Sequence, residues 1–199
     1  AAGDRFGGSM PPRWSGNVAV IGATHDDASA AVADAGSVYF FLRSASLPTT
    51  WTQESKLLPA TSAANAHFGS AIYELTSGSA QYLVGEPDRA NGVVYRAART
   101  NGVTVVAATI TAADGQAGDR FGASLGYDFT ASVGYLLVGA PGVDPSAALT
   151  DAGAAYSYTL DGSYNATFVT RFVGATAGEN AGRSVGALSI SSTLAGVYG

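Results

Sequence analysis

Gly3 to Ser9 reads GDRFGGS, and Gly118 to Ser124 reads GDRFGAS: six of seven letters agree at a separation of 115 residues. A repeat constrains a chain of 199 residues more than any local propensity, because each copy must be one supersecondary unit that packs on its neighbours. Weaker copies complete the series. NAHFGSA spans Asn65 to Ala71, and AGRSVGA spans Ala181 to Ala187, with Val185 read at the place of the phenylalanine. The anchors Phe6, Phe68, Phe121 and Val185 then stand 62, 53 and 64 residues apart. A second phrase follows each of the first three: VAVIGATHDD from Val18, YLVGEPD from Tyr82 and YLLVGAPGVD from Tyr135. A third follows that: AGSVYFF (35–41), NGVVYRA (91–97) and AGAAYSY (152–158).

The units read as β-structure. Their apolar runs are short, β-branched and aromatic, and turn residues separate them. No window carries a capped, 3.6-periodic apolar stripe. Asn101-Gly102 and Asp161-Gly162 each sit between two such runs and signal two-residue hairpins. In the first unit a longer link, 43–50, leads into WTQESKLL. Each unit therefore predicts four antiparallel strands, the make-up of a propeller blade.

In register, GDRFGAS, LLVGAP and AGAAYSY resemble the FG-GAP repeat family of integrin α-subunit propellers and bacterial surface proteins, and Trp51 to Leu58 is similar to the outer strand of bacterial members. The resemblance implies one all-β region over 1–199, with blades at about 3–64, 65–117 and 118–181 and a partial fourth at 182–199. Phe6, Phe68 and Phe121 are expected as structural anchors wedged between blades, with Gly7, Gly69 and Gly122 permitting tight turns beside them. Propellers carry about 4–8 blades, so this stretch does not close an ordinary ring. It opens inside a motif and ends inside a strand, which favours a piece of a longer propeller over completion by neighbouring copies or an open stack.

Family members often hold calcium in an Asp-x-Asp-x-Asp-Gly loop between the first two strands. Here the corresponding links, 10–17, 75–80 and 127–134, contain one acid, Asp128. Calcium seeks six to eight oxygens, so the usual loop is absent; no cofactor is certain, and calcium remains the candidate. The acids gather instead between the second and third strands. Asp26, Asp27 and Asp34 lie in one loop, Asp144 and Asp151 in another, and Glu86 and Asp88 in the shorter third. The first five are the candidate cation ligands, and solvated turn residues are the alternative. Gly122-Ala123-Ser124-Leu125-Gly126 matches the nucleophile-elbow pattern, which requires a strand-to-helix turn; here it opens a strand, so no catalytic residue is assigned. His25 and His67 have no partner at the spacing of a triad or zinc site. Trp14 and Trp51 are candidate stacking surfaces, and Asn165-Ala166-Thr167 is an N-glycosylation sequon.

Composition narrows the function classes. Cysteine is absent, which removes disulfide and thiolate chemistry. A net charge of −5 disfavours nucleic acid, which needs a basic face, and no apolar run is long enough for a membrane-spanning helix. The resemblance implies a non-enzymatic recognition or adhesion module, extracellular or at the cell surface, whose partner is a protein or glycan. The alternatives are a building block of a surface filament, joined to other blades of its parent chain or of neighbouring copies, and a propeller-scaffold hydrolase or lyase.

Overall fold

The computed structural model describes residues 3–12, 16–47, 49–75, 80–130 and 133–186. Trp14, parts of the links 10–17 and 75–80, and residues 187–199 of the partial fourth unit lie outside the described residues. The first blade comprises β1 (Phe6–Ser9), β2 (Val18–Ala23), β3 (Ser37–Arg43) and β4 (Trp51–Leu57). The second comprises β5 (Ala71–Glu74), β6 (Gln81–Glu86), β7 (Val93–Thr100) and β8 (Val103–Ile110). The third comprises β9 (Ser124–Thr130), β10 (Val133–Ala140), β11 (Ala154–Leu160) and β12 (Ala166–Val173). Each is a four-stranded antiparallel sheet paired in chain order, and the three do not close a ring.

Register repeats as faithfully as sequence. Every blade carries an irregularity between its third and fourth strands, at Phe40/Phe41, Arg96/Ala97 and Ser157/Tyr158. In each case this lies just past the tyrosine of the third phrase, and such bulges sharpen the local twist. Asn101 and Gly102 both take positive φ (51° and 82°) and join β7 to β8 in two residues. Asp161-Gly162 departs from the hairpin reading: residues 161–165 form a five-residue connection. There the Asp161 carboxylate accepts hydrogen bonds from the backbone N–H groups of Ser163 and Asn165, an Asx turn that replaces the two-residue hairpin.

A single sheet cannot bury both faces, and two apolar layers between blades do so here. One joins Val20, Val38 and Phe40 to Phe68, Val84 and Tyr95; the other joins Leu83, Val94 and Ile110 to Phe121, Val138 and Tyr156. Glycine sets how close the sheets come. A Cβ on Gly22 would lie 2.5 Å from the Gly69 carbonyl oxygen, one on Gly85 2.0 Å from that of Gly122, and one on Gly139 1.8 Å from that of Gly182. The glycine of each GAP-like phrase thus abuts the glycine that opens the next unit. A parallel backbone bridge accompanies each contact: Gly36 to Phe68, Gly92 to Phe121 and Gly153 to Ala181.

That bridge moves the fourth anchor. Ala181 and Gly182 stand where Phe121 and Gly122 stand one blade earlier, with Asn180 at positive φ (55°) as Arg120 is (62°). The expected anchor, Val185, lies past the turn. The ring has been lost at this copy while the backbone geometry has been kept.

The three anchor rings behave unequally. Phe68 and Phe121 are fully buried, and each sits edge-on to the tyrosine of its own blade, Tyr95 at 5.3 Å and Tyr156 at 5.4 Å. Phe6 makes the same contact with Tyr39 at 5.4 Å, yet it is 54% exposed and is not wedged between blades. Its outer side meets no blade among the described residues, and a Cβ on Gly7 would likewise meet nothing within 4 Å.

Candidate functional site

Loops that join the second to the third strand, together with the turns that open each unit, form a polar rim. Its two long loops are closed by the same device. Asp27 Oδ1 accepts the backbone N–H of Asp34 at 3.0 Å, and Asp144 Oδ1 accepts that of Asp151 at 2.6 Å, seven residues on in both. Asp34 and Asp151 both have positive φ (53° and 51°), a conformation in which Asp is among the better-tolerated residues. Asp27, Asp34, Asp144 and Asp151 therefore shape loops.

Asp26 points inward. It is 7% exposed and accepts hydrogen bonds from Ser37 Oγ at 2.5 Å and Tyr39 Oη at 2.6 Å, with Lys56 Nζ 2.8 Å away. Burial pushes its carboxyl up, but the hydrogen bonds from Lys56, Ser37 and Tyr39 outweigh that and hold it below the ordinary value. With an ammonium group as its partner it is not free to serve as a calcium oxygen. Among the described residues no three His, Asp or Glu side chains converge to hold a metal ion, so the donors do not fit the calcium that the family resemblance raises.

The tyrosine of the third phrase organises one such cluster in each blade. Tyr95 donates to Glu86 Oε2 at 2.5 Å, with Arg89 Nη1 donating to the Tyr95 oxygen at 2.7 Å. Tyr156 donates to Asp114 Oδ1 at 3.1 Å, and Arg171 pairs with the same carboxylate. Every blade thus joins tyrosine, acid and cation. Lys56 and Arg171 stand directly across the ladder from Tyr39 and Tyr156, whereas Thr109 holds that position opposite Tyr95 and the cation comes from a loop. Glu86 is fully buried and its Oε1 has no partner among the described residues; burial raises its pKa, against the pull of Tyr95 and Arg89. Sequence reasoning missed these clusters, because the acid arrives from a loop, a strand end or the preceding linker and so follows no spacing.

Outward from the clusters runs a row of polar side chains. The His25 and His67 rings lie 4.5 Å apart, His67 Nδ1 meets Asp88 Oδ2 at 2.7 Å, and Arg120 Nε donates to Asp88 Oδ1 at 2.8 Å. His67 and Arg120 occupy the same place in the repeat, just before the anchor ring, at φ of 54° and 62°. That backbone turn aims both along the rim. Burial, then the charges of Arg5 and His67, hold His25 below its ordinary pKa.

The remaining candidates have local roles. Ser124 begins β9, and its hydroxyl donates to the Gly182 carbonyl at 2.7 Å, tying the blade junction. Asp119, the aspartate of GDRFGAS, is buried and accepts the Gln116 N–H at 2.7 Å, closing the turn that enters the phrase. Asn165 is exposed, with its amide donating to Asp161 Oδ2 at 3.0 Å. Trp51 opens β4, half-buried.

Comparison with known families bears on this architecture directly. The family model of the FG-GAP repeat matches residues 105–158, from within β8 to within β11. The chain carries an FG-GAP repeat. The match covers the junction that brings Phe121 and Gly122 onto the second blade, and the junctions before and after it repeat the same backbone contacts. The three described units are propeller-type blades in an open row. No curated protein matches the chain. Among the described residues, no helix is long and apolar enough to cross a membrane.

Proposed function

We propose that this FG-GAP chain is a non-enzymatic recognition module, acting outside the cell or at its surface, whose partner is a protein or glycan. The observation that carries the reading is the continuous row His25–His67–Asp88–Arg120, held along one rim by backbone turns that recur at each unit. Loops stapled by Asp27 and Asp144 pay little ordering entropy on binding, which suits recognition. The test is surface plasmon resonance of the purified chain over immobilised fibronectin, laminin, collagen and heparan sulfate. Binding to one of them, weakened by Arg120→Ala and His67→Ala, supports the reading. Binding to none, or binding indifferent to both substitutions, counts against this rim.

A second reading, a building block of a larger assembly, draws on apolar side chains exposed on the first and third blades. Phe6 and Met10 are exposed on the first (54% and 64%) and Phe172 and Val173 on the third (60% and 48%). Apolar surface of this kind marks contacts between proteins. Light scattering across a concentration series separates the two: a monomer favours recognition, and growing mass favours assembly.

A further inference from the structure

The blades are not evenly spaced at their outer strands. Between the first and second blades β4 runs beside β8, with Ser55 Oγ 3.1 Å from Thr104 Oγ1, and the Glu54–Arg99 ion pair ties β4 to the adjoining β7. No ion pair or hydrogen bond joins β8 to β12 among the described residues. Two adjoining cavities of about 420 and 430 Å³ open there instead, sharing Thr111, Tyr158 and Phe168 as lining.

The groove has a particular chemistry. Phe168 is 54% exposed and stands edge-on to Tyr158 at 5.8 Å, so ring surface forms one wall. Around it stand groups that hydrogen-bond in the plane of the side chain: the Arg96 guanidinium and Asn165 amide in one cavity, the paired Asp114 and Arg171 in the other. Thr109 and Thr111 add hydroxyls. Pockets of this size hold small ligands. These walls offer ring surface ringed by planar donors and acceptors. A pyranose has that complement, with apolar C–H faces and hydroxyls at its edge.

We propose that the groove between β8 and β12 is a saccharide-binding site, with Phe168 as the stacking surface and Arg96, Asn165 and Asp114 as hydroxyl partners. This rests on the recognition reading and places the glycan away from the rim. The experiment is titration of the isotope-labelled chain with chitotriose, cellotriose, mannotriose and galactobiose, followed by amide chemical shifts. At least one binds with a Kd of about millimolar or below, and the shifts gather at 108–111, 156–158 and 164–171. Phe168→Ala weakens binding roughly tenfold, the size of one aromatic contact. Phe172→Ala, at 60% exposure on the same strand but outside both cavities, leaves it unchanged. Absence of binding by all four sugars overturns the proposal. Shifts that gather instead at residues 24–27, 67, 88 and 120, with Phe168→Ala silent, also overturn it while leaving the recognition reading in place.

Discussion

Gly85→Ala isolates the contact on which the stack depends. Gly85 lies in β6 and its φ is not in the left-handed range, so alanine suits its backbone; the added methyl is the whole perturbation. That methyl would fall 2.0 Å from the Gly122 oxygen and 3.0 Å from its carbon. A Cβ does not approach a carbonyl oxygen closer than about 3.0 Å, so the two blades must part by about 1 Å at this point. Gly122 cannot yield alone, because its N–H is bonded to the Gly139 carbonyl at 3.0 Å. Overpacking of this kind costs about 1–3 kcal/mol, and backbone on both sides places it near the top of that range. For a chain of this size about 3 kcal/mol lowers the Tm by roughly 6–12 °C. Two controls divide the causes. At Gly162 a Cβ meets nothing within 4 Å and φ is ordinary, so alanine there changes stability by less than about 0.5 kcal/mol. At Gly118 the space is equally open but φ is +95°, so the cost is conformational, about 1–3 kcal/mol. Thermal and guanidinium unfolding followed by circular dichroism measure all three. A Gly85→Ala variant no less stable than Gly162→Ala would refute the close glycine junction.

Phe121→Ala, emptying a fully buried site, is expected to cost about 3–5 kcal/mol, whereas Phe6→Ala, the same letter of the same phrase at 54% exposure, costs about 1 kcal/mol or less; denaturant midpoints give both. Two buried acids should respond to pH with opposite sign. The folded pKa of Asp26 lies below its ordinary 3.8, so its contribution is present above 3.8 and is lost as pH falls through the lower folded value; the deficit of Asp26→Asn therefore deepens as pH rises through that window. Glu86 lies above its ordinary 4.5, so its contribution is full below 4.5 and is lost as pH rises through the folded value; the stability of Glu86→Gln relative to the parent therefore climbs over the same rise. Tm measured from pH 3 upward distinguishes the two curves. Calcium in excess, followed by chelator, should leave the Tm unmoved, because a ligand stabilises only a state that binds it.

The blades were legible in the sequence because each junction needs the same backbone. Glycine is required wherever one sheet abuts the next, so Gly22, Gly85 and Gly139, and their partners Gly69, Gly122 and Gly182, recur whatever surrounds them. Side chains were less legible. At the fourth junction alanine replaces the ring, and the eye moves to Val185, four residues too far. Phe6 shares with Phe121 all but one letter of the surrounding phrase, but burial depends on a neighbouring blade that a motif does not encode. The loop acids suggested a shared cation site, yet Asp27 and Asp144 each turn Oδ1 onto their own loop, and Asp26 turns Oδ2 onto Ser37, Tyr39 and Lys56. The rim row was hidden because its members come from two places in the repeat on successive units, brought together only by stacking.

Blade-on-blade stacking within one chain is the central claim, and an engineered cross-link tests it most directly. The natural sequence has no cysteine, so a pair placed at Ser55 and Thr104 has no competitor. Their hydroxyls meet at 3.1 Å between β4 and β8, a separation that side chains of a disulfide can span. Mild oxidation of the double variant Ser55→Cys/Thr104→Cys is expected to yield a monomer carrying one intramolecular disulfide, found by mass spectrometry of the digest. Free thiols after oxidation, or a link that forms only between chains, would contradict the stack.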